Sequence, residues 1–234
     1  MIITEQQFFD YIHCPALFEM TYIKKIPMEE STSLPKLLEK VAKYFYLHLL
    51  NGRIASASEL KKKWDSICQA NEDKIDNKKV MEGIGLIFKL LNWADREQPV
   101  VLDIDTRYNI HVGNVELVGN MGTILAAPNK KYELLITSFS SRLPDQMMID
   151  MKMKYTLEAY AFSKVYNKPV DGIRVYSVKH AKDFYTYRTD DDFKRLETAI
   201  KNVGESIEKG LYYPREGIMC SSCPAKGYCR YWSC

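Results

Sequence analysis

Residues 220–229 read CSSCPAKGYC, three thiols in a C-x2-C-x5-C spacing near the end of a 234-residue chain. Thiolates favour zinc and iron–sulfur centres, which usually take four protein ligands. The fold must therefore deliver a fourth ligand to this segment. Three further cysteines exist, Cys14, Cys68 and Cys234. Cys68 sits in a helical pattern at apolar spacing from Trp64 and reads as a small buried hydrophobe. Cys14 stands in His13-Cys14-Pro15, at a break between two helical pieces, and its side chain is free to approach a ligand. Cys14, Cys220, Cys223 and Cys229 make four, with Cys234, Cys68 or His13 as substitutes for Cys14. Such a set holds zinc or a cubane iron–sulfur cluster, and spacing alone does not separate the two. Either would staple one end of the chain to the other, its binding energy appearing as folding energy.

Working outward, the chain is 46% hydrophobic and 27% charged, with a formal net charge of +3. That is an ordinary globular composition with enough apolar material for a core. Thiols crowded into ten residues of a chain this long fit metal binding in a reducing compartment better than a disulfide framework. With no apolar run of about 18 residues and no signal-peptide pattern, the expected location is cytoplasmic, with no membrane partner. The mild basic excess permits a nucleic-acid partner without requiring one.

Periodicity predicts two short helices hinged at HCP, then helices over 34–50, 56–70 (opened by the capping box Ser56 to Glu59) and 80–93. From Pro99 the pattern turns to β-rich runs, VVLDIDTRYNI, VELVGNMGTILAA and YELLITSFS, which predict an antiparallel meander. A long helix over 145–166, strands GIRVYSVK and FYTYR, and a helix over 191–209 complete an α/β arrangement with a helix-covered sheet. The expected organisation is one domain over 1–234. It comprises a mainly helical lobe (1–98), an α/β core (99–210) and a Cys-rich segment (211–234) joined by Cys14.

The cysteine frame carries a family resemblance. Tyr11-Ile12-His13-Cys14-Pro15-Ala16-Leu17-Phe18 near the start, a "YxxCPxxF" context, with C-x2-C-x5-C at the end, resembles the iron–sulfur RecB-like nucleases. That group includes the CRISPR-associated adaptation exonucleases and the nuclease domain of AddB-type helicase–nucleases, within the PD-(D/E)XK superfamily. The resemblance implies a restriction-endonuclease-like central mixed sheet flanked by helices, a helical N-terminal lobe and a C-terminal coil. It implies that Cys14, Cys220, Cys223 and Cys229 bind a [4Fe-4S] cluster with a structural role, which favours iron over zinc.

The same resemblance locates the catalytic positions, and they are altered. Such nucleases use Mg²⁺ or Mn²⁺ held by carboxylates, with a lysine near the attacking water. The "GxxD" motif falls on Gly119 to Gly122, so glycine replaces the metal-binding aspartate. The "(D/E)xK" motif falls on Thr137 and Phe139, and the family's helical glutamine falls on Thr156. Asp103, Asp105 and Glu133 are the acids left to serve as a relocated site, the first two expected to share a strand face and Glu133 to share one with Thr137. Pro144-Asp145 with Asp150-Met151-Lys152 spells the superfamily's name, but DQMMIDMKMKYTLEAYAF runs as a helix with Asp145 as its cap.

The sequence thus implies a nuclease-fold protein that has lost metal chemistry, with Mg²⁺ or Mn²⁺ not expected, serving as a DNA-binding or scaffolding subunit of a replication, recombination or mobile-element complex. Basic and aromatic residues interleave at Arg174-Val175-Tyr176, Lys179, Lys182 and Tyr185-Thr186-Tyr187-Arg188, a composition suited to single-stranded DNA. The alternatives are an active Mg²⁺- or Mn²⁺-dependent exonuclease or endonuclease using the relocated acids, and a protein-interaction subunit that makes no DNA contact.

Overall fold

A computed structural model describes residues 1–28 and 32–229. Along the chain, β1 (Ile2–Thr4) leads into α1 (Glu5–His13) and α2 (Pro15–Phe18). Helices α3 (Leu34–Leu50), α4 (Ala57–Gln69) and α5 (Asn77–Glu97) precede β2 (Val100–Ile104), β3 (Arg107–Val112), β4 (Val115–Asn120), β5 (Thr123–Ala127) and β6 (Lys131–Ser138). Then come α6 (Gln146–Asp150), α7 (Met153–Tyr166), β7 (Gly172–Ser177), β8 (Lys182–Thr186) and α8 (Asp190–Glu208).

The capping box expected at Ser56 closes on α4, and Thr4 closes another on α1 that the sequence reading missed; each satisfies backbone donors that have no partner inside the helix. Cys14 has an extended backbone between α1 and α2, with Pro15 opening the second helix, so the hinge at HCP is as expected. The predicted 145–166 helix divides. Asp145 caps α6 through the Met147 N–H at 2.9 Å, α6 ends at Met151, and α7 starts afresh at Met153. The Asp150-Met151-Lys152 triplet is thus a helix break.

The expected meander is corrected more deeply. Among the described residues the strands form two sheets, in orders β1-β4-β3 and β2-β5-β6-β7-β8. Run VVLDIDTRYNI is two strands, because Asp105 adopts a left-handed backbone (φ 54°) between them. Run VELVGNMGTILAA likewise breaks between β4 and β5. Each half joins a different sheet. In the larger sheet β5 is antiparallel to β2 and β6, while β6 and β7 are parallel, as a strand pair joined through a helical crossover allows.

The chain clusters into two compact units of discontinuous sequence. One unit contains residues 1–31, 107–120 and 190–234, and so holds the small sheet, α1, α2, α8 and the cysteine segment. The other contains residues 32–106 and 121–189, with the five-stranded sheet. In that unit α3, α4 and α5 cover one sheet face, where Leu38, Phe45, Leu60, Trp64, Leu90 and Trp93 pack with Leu125 and Leu135 in one apolar cluster. The opposite face belongs to α7.

Candidate functional site

The four altered positions sit on or beside β5, β6 and α7. Gly122 precedes β5, and its N–H donates to Glu158 Oε2 at 3.1 Å. A Cβ at position 122 would stand 3.0 Å from that same oxygen and 3.4 Å from the Leu135 carbonyl. Glu158, in α7 and only 3% exposed, therefore fills the space that a side chain at 122 would take. Thr137 Oγ1 shares a 2.5 Å hydrogen bond with the Tyr46 hydroxyl of α3. Phe139 is 4% exposed and belongs to the apolar cluster under α3 to α5. Thr156 accepts from Arg188 Nε at 2.8 Å, and the same guanidinium donates to the Ile149 carbonyl at 3.1 Å and to the Thr186 hydroxyl at 2.6 Å.

Electrostatics keep this region largely neutral. Burial pushes the Tyr46 hydroxyl well above its ordinary range, only partly offset by its bond to Thr137. Burial, with the charge of Glu158, pushes Tyr155 up to about 12. Both remain protonated phenols at neutral pH. Beside them burial raises Glu39 against the opposing charges of Lys154 and Lys36, and burial followed by Lys154 lowers Lys152. The arrangement consists of buried hydroxyls and one buried carboxylate satisfied within the protein. Among the described residues it lacks the converging acids that bind a hard cation.

The structure does not bring the three fallback acids together. Asp103 pairs with Ile124 across the β2–β5 ladder, after a register shift between Val101 and Asp103. Its carboxylate accepts from the Tyr166 hydroxyl of α7 at 2.9 Å. Glu133 pairs with Leu125, which points to the opposite, α3-to-α5 side, since neighbouring strand residues alternate faces. Asp105 lies past the end of β2 in an ion pair with Lys43. The expectation that Asp103 and Asp105 share a face is overturned by the bulge and by the left-handed residue, both of which break the period of two. Among the described residues, no group of three or more His, Cys, Asp or Glu is arranged to hold a metal ion.

The basic and aromatic surface read from the sequence is also largely structural. Arg174 is buried, bound to Asp183 at 2.7 and 3.0 Å and to Glu97 at 2.7 Å, over the rings of Trp93 and Tyr185. Tyr176 is buried, and Lys179 pairs with Glu82 at 2.7 Å. Tyr185 and Tyr187 remain exposed. Glu158 was missed by sequence reading, although a lone acid inside the apolar run TLEAYAF was its signal.

In the other unit, Cys14, Cys223 and Cys229 pack on an apolar cluster of Ala16, Met20 and Ala225. Burial pushes the Cys223 thiol up; the Ala225 N–H pulls it partly back, and charge on Cys14, Cys220 and Cys229 pushes it further up. Cys223 is thus within electrostatic reach of the other three sulfurs. Arg215 N–H donates to Cys14 Sγ at 3.4 Å, and Cys220 Sγ approaches the Arg215 carbonyl at 3.8 Å. Cys68 lies in α4 against the larger core, and Cys234 lies outside the described residues.

A model of the PD-(D/E)XK nuclease superfamily matches residues 3–230. The chain belongs to that superfamily. No curated protein matches it. Among solved structures, a "Putative exonuclease" from Eubacterium rectale is similar at 9% identity and a TM-score of 0.59, covering 95% of this chain and 86% of its own. The crystal structure of SSO0001 is similar at 14% identity and a TM-score of 0.47, covering 100% of this chain and 87% of its own. At such identities the first likeness is one of fold. The mixed sheet flanked by helices is consistent with the superfamily's architecture.

Proposed function

We propose that this protein is a catalytically inactive PD-(D/E)XK member, stapled by a [4Fe-4S] cluster on Cys14, Cys220, Cys223 and Cys229, that binds single-stranded DNA or scaffolds a DNA-processing complex. The observation that carries the loss of catalysis is the occupancy of the motif positions. Phe139 is packed into the core, Thr137 is tied to Tyr46, and Glu158 fills the space beside Gly122. Among the described residues a metal-bound water would find neither a set of converging acids nor a lysine at position 139.

Support for the cluster comes from the donor set. Four thiols, three of them on one apolar patch, with a backbone N–H directed at Cys14 Sγ, match the all-thiolate ligation and sulfur hydrogen bonding of iron–sulfur centres. When bound, the cluster would join α1 and α2 to the C-terminal segment and add its binding energy to folding.

The test is anaerobic purification, followed by iron and sulfide determination and incubation with labelled single- and double-stranded DNA plus Mn²⁺. Intact DNA from a brown protein that retards single strands in a salt-dependent manner is the expected result. Cleavage abolished by chelator would overturn the loss of catalysis. A colourless, fully folded protein containing zinc or no metal would overturn the cluster.

A further inference from the structure

Between α7 and the β2–β5–β6 part of the large sheet lies a cavity of about 140 Å³ that the degenerate centre does not use. Its apolar floor is Ile124 and Phe162, and its rim carries Asp103, Tyr132, Tyr166 and Lys168. The volume is close to the roughly 150 Å³ engineered cavity that accepts benzene, so it suits one six-membered ring rather than a fused pair. Phe162 lies 5.7 Å from the Tyr132 ring and 4.8 Å from the Tyr166 ring, which makes the wall aromatic and suited to a flat ligand.

The polar groups are of opposite kinds. Asp103 accepts from the Tyr166 hydroxyl at 2.9 Å and from the Ile104 N–H at 2.8 Å. An ionised carboxylate has about four lone-pair sites and no donor, so it keeps room for an incoming N–H. Burial alone would raise its carboxyl; the Thr106 hydroxyl, Tyr166 and the Ile104 N–H outweigh that and hold it below the usual range. Lys168 Nζ stands 3.4 Å from the Tyr132 hydroxyl and 5.3 Å from its ring centroid, a cation that can give a hydrogen bond to a carbonyl. A single ring that meets both groups carries an amino donor and a carbonyl acceptor. Among nucleobases that is cytosine, whose exocyclic amine suits a carboxylate. Thymine and uracil turn a carbonyl toward Asp103, and purines exceed the volume.

We propose that this cavity binds a cytosine base, its amine donated to Asp103, its ring against Phe162 and Tyr166, and its carbonyl toward Lys168. The base comes from a splayed single strand, a source that rests on the DNA-binding reading above, or from a free cytidine nucleotide.

The test is fluorescence anisotropy with labelled dC and dT homo-oligonucleotides of equal length, beside calorimetric titration of CMP and TMP. Wild type, Asp103→Asn and Lys168→Met are compared. The expected result is about a tenfold preference for dC over dT, lost or inverted in Asp103→Asn because the amide offers a donor to the thymine carbonyl. Lys168→Met, at an exposed position, weakens dC binding without affecting folding. Equal binding of the two oligonucleotides, or a preference unchanged in Asp103→Asn, overturns the cavity assignment while leaving the DNA-binding reading intact. CMP binding without oligonucleotide binding upholds the cavity and removes the strand as its source. No binding of any of these ligands overturns both.

Discussion

Phe139→Lys would place just past the end of β6 the lysine that the family resemblance expects there, and the packing implies that the protein will not accept it. The wild-type ring is 4% exposed, in the cluster that also holds Trp64 and Trp93. Removing it forfeits about 1.5–3 kcal/mol of apolar transfer energy. Desolvating an unpaired ammonium in its place adds several kcal/mol, even after relaxation. The sum, on the order of 5 kcal/mol or more, equals much or all of the net stability of a typical domain. Phe139→Leu, which keeps the apolar character, should cost only about 1 kcal/mol. Urea unfolding followed by tryptophan fluorescence measures both, since Trp64 and Trp93 report on this cluster. A Phe139→Lys protein within about 1 kcal/mol of wild type would refute the reasoning. It would mean that the side chain at position 139 is not held in the packed cluster.

Three further outcomes follow from particular contacts. Arg174→Met leaves Asp183 without its partner at 18% side-chain exposure and Glu97, at 28%, with Arg96 alone, and should cost about 3 kcal/mol at neutral pH in urea unfolding. Because Arg174 and then Arg96 hold Glu97 below its ordinary 4.5, the stabilisation is present above that value and lost as pH falls through the folded one. The gap between wild type and variant should therefore narrow in acid and stay flat from pH 6 to 8. Gly83→Ala puts a Cβ 2.3 Å from Trp64 Cζ2, on a ring pinned by its 3.1 Å bond to the Val80 carbonyl; it should lose about 2 kcal/mol by thermal unfolding, despite a gain of about 1 kcal/mol in helix propensity. Gly122→Ala and Glu158→Ala should be non-additive by about 1 kcal/mol, since truncating Glu158 removes the 3.0 Å contact that the new methyl would make; strict additivity would show that Glu158 does not fill that space.

Local order was largely legible in the sequence. The capping box at Ser56 and the hinge at Cys14-Pro15 each act through neighbours a few residues away, so the sequence by itself determined helices α1 to α4 closely. The positions Gly122, Thr137, Phe139 and Thr156 came from the family resemblance, not from spacing alone, and stand as part of the proposal. What the sequence could not supply was the partner across the fold. The chain passes from one sheet to the other at Asp105-Thr106 and again at Met121-Gly122; the first crossing has no glycine or proline to mark it and turns on the left-handed backbone of Asp105. Arg174 and Tyr176 looked like a binding surface, since alternation along a strand does not say which face is covered by helices. Helices α3 to α5 cover it, and they turn a basic, aromatic run into a buried ion-pair and ring stack. Glu158 was invisible as the occupant of the altered centre, because its role depends on a 3.1 Å contact with a glycine N–H 36 residues away. Contacts between residues near in sequence are set by backbone geometry and propensity; those between strands and helices distant in sequence are set by packing, which only the tertiary structure decides.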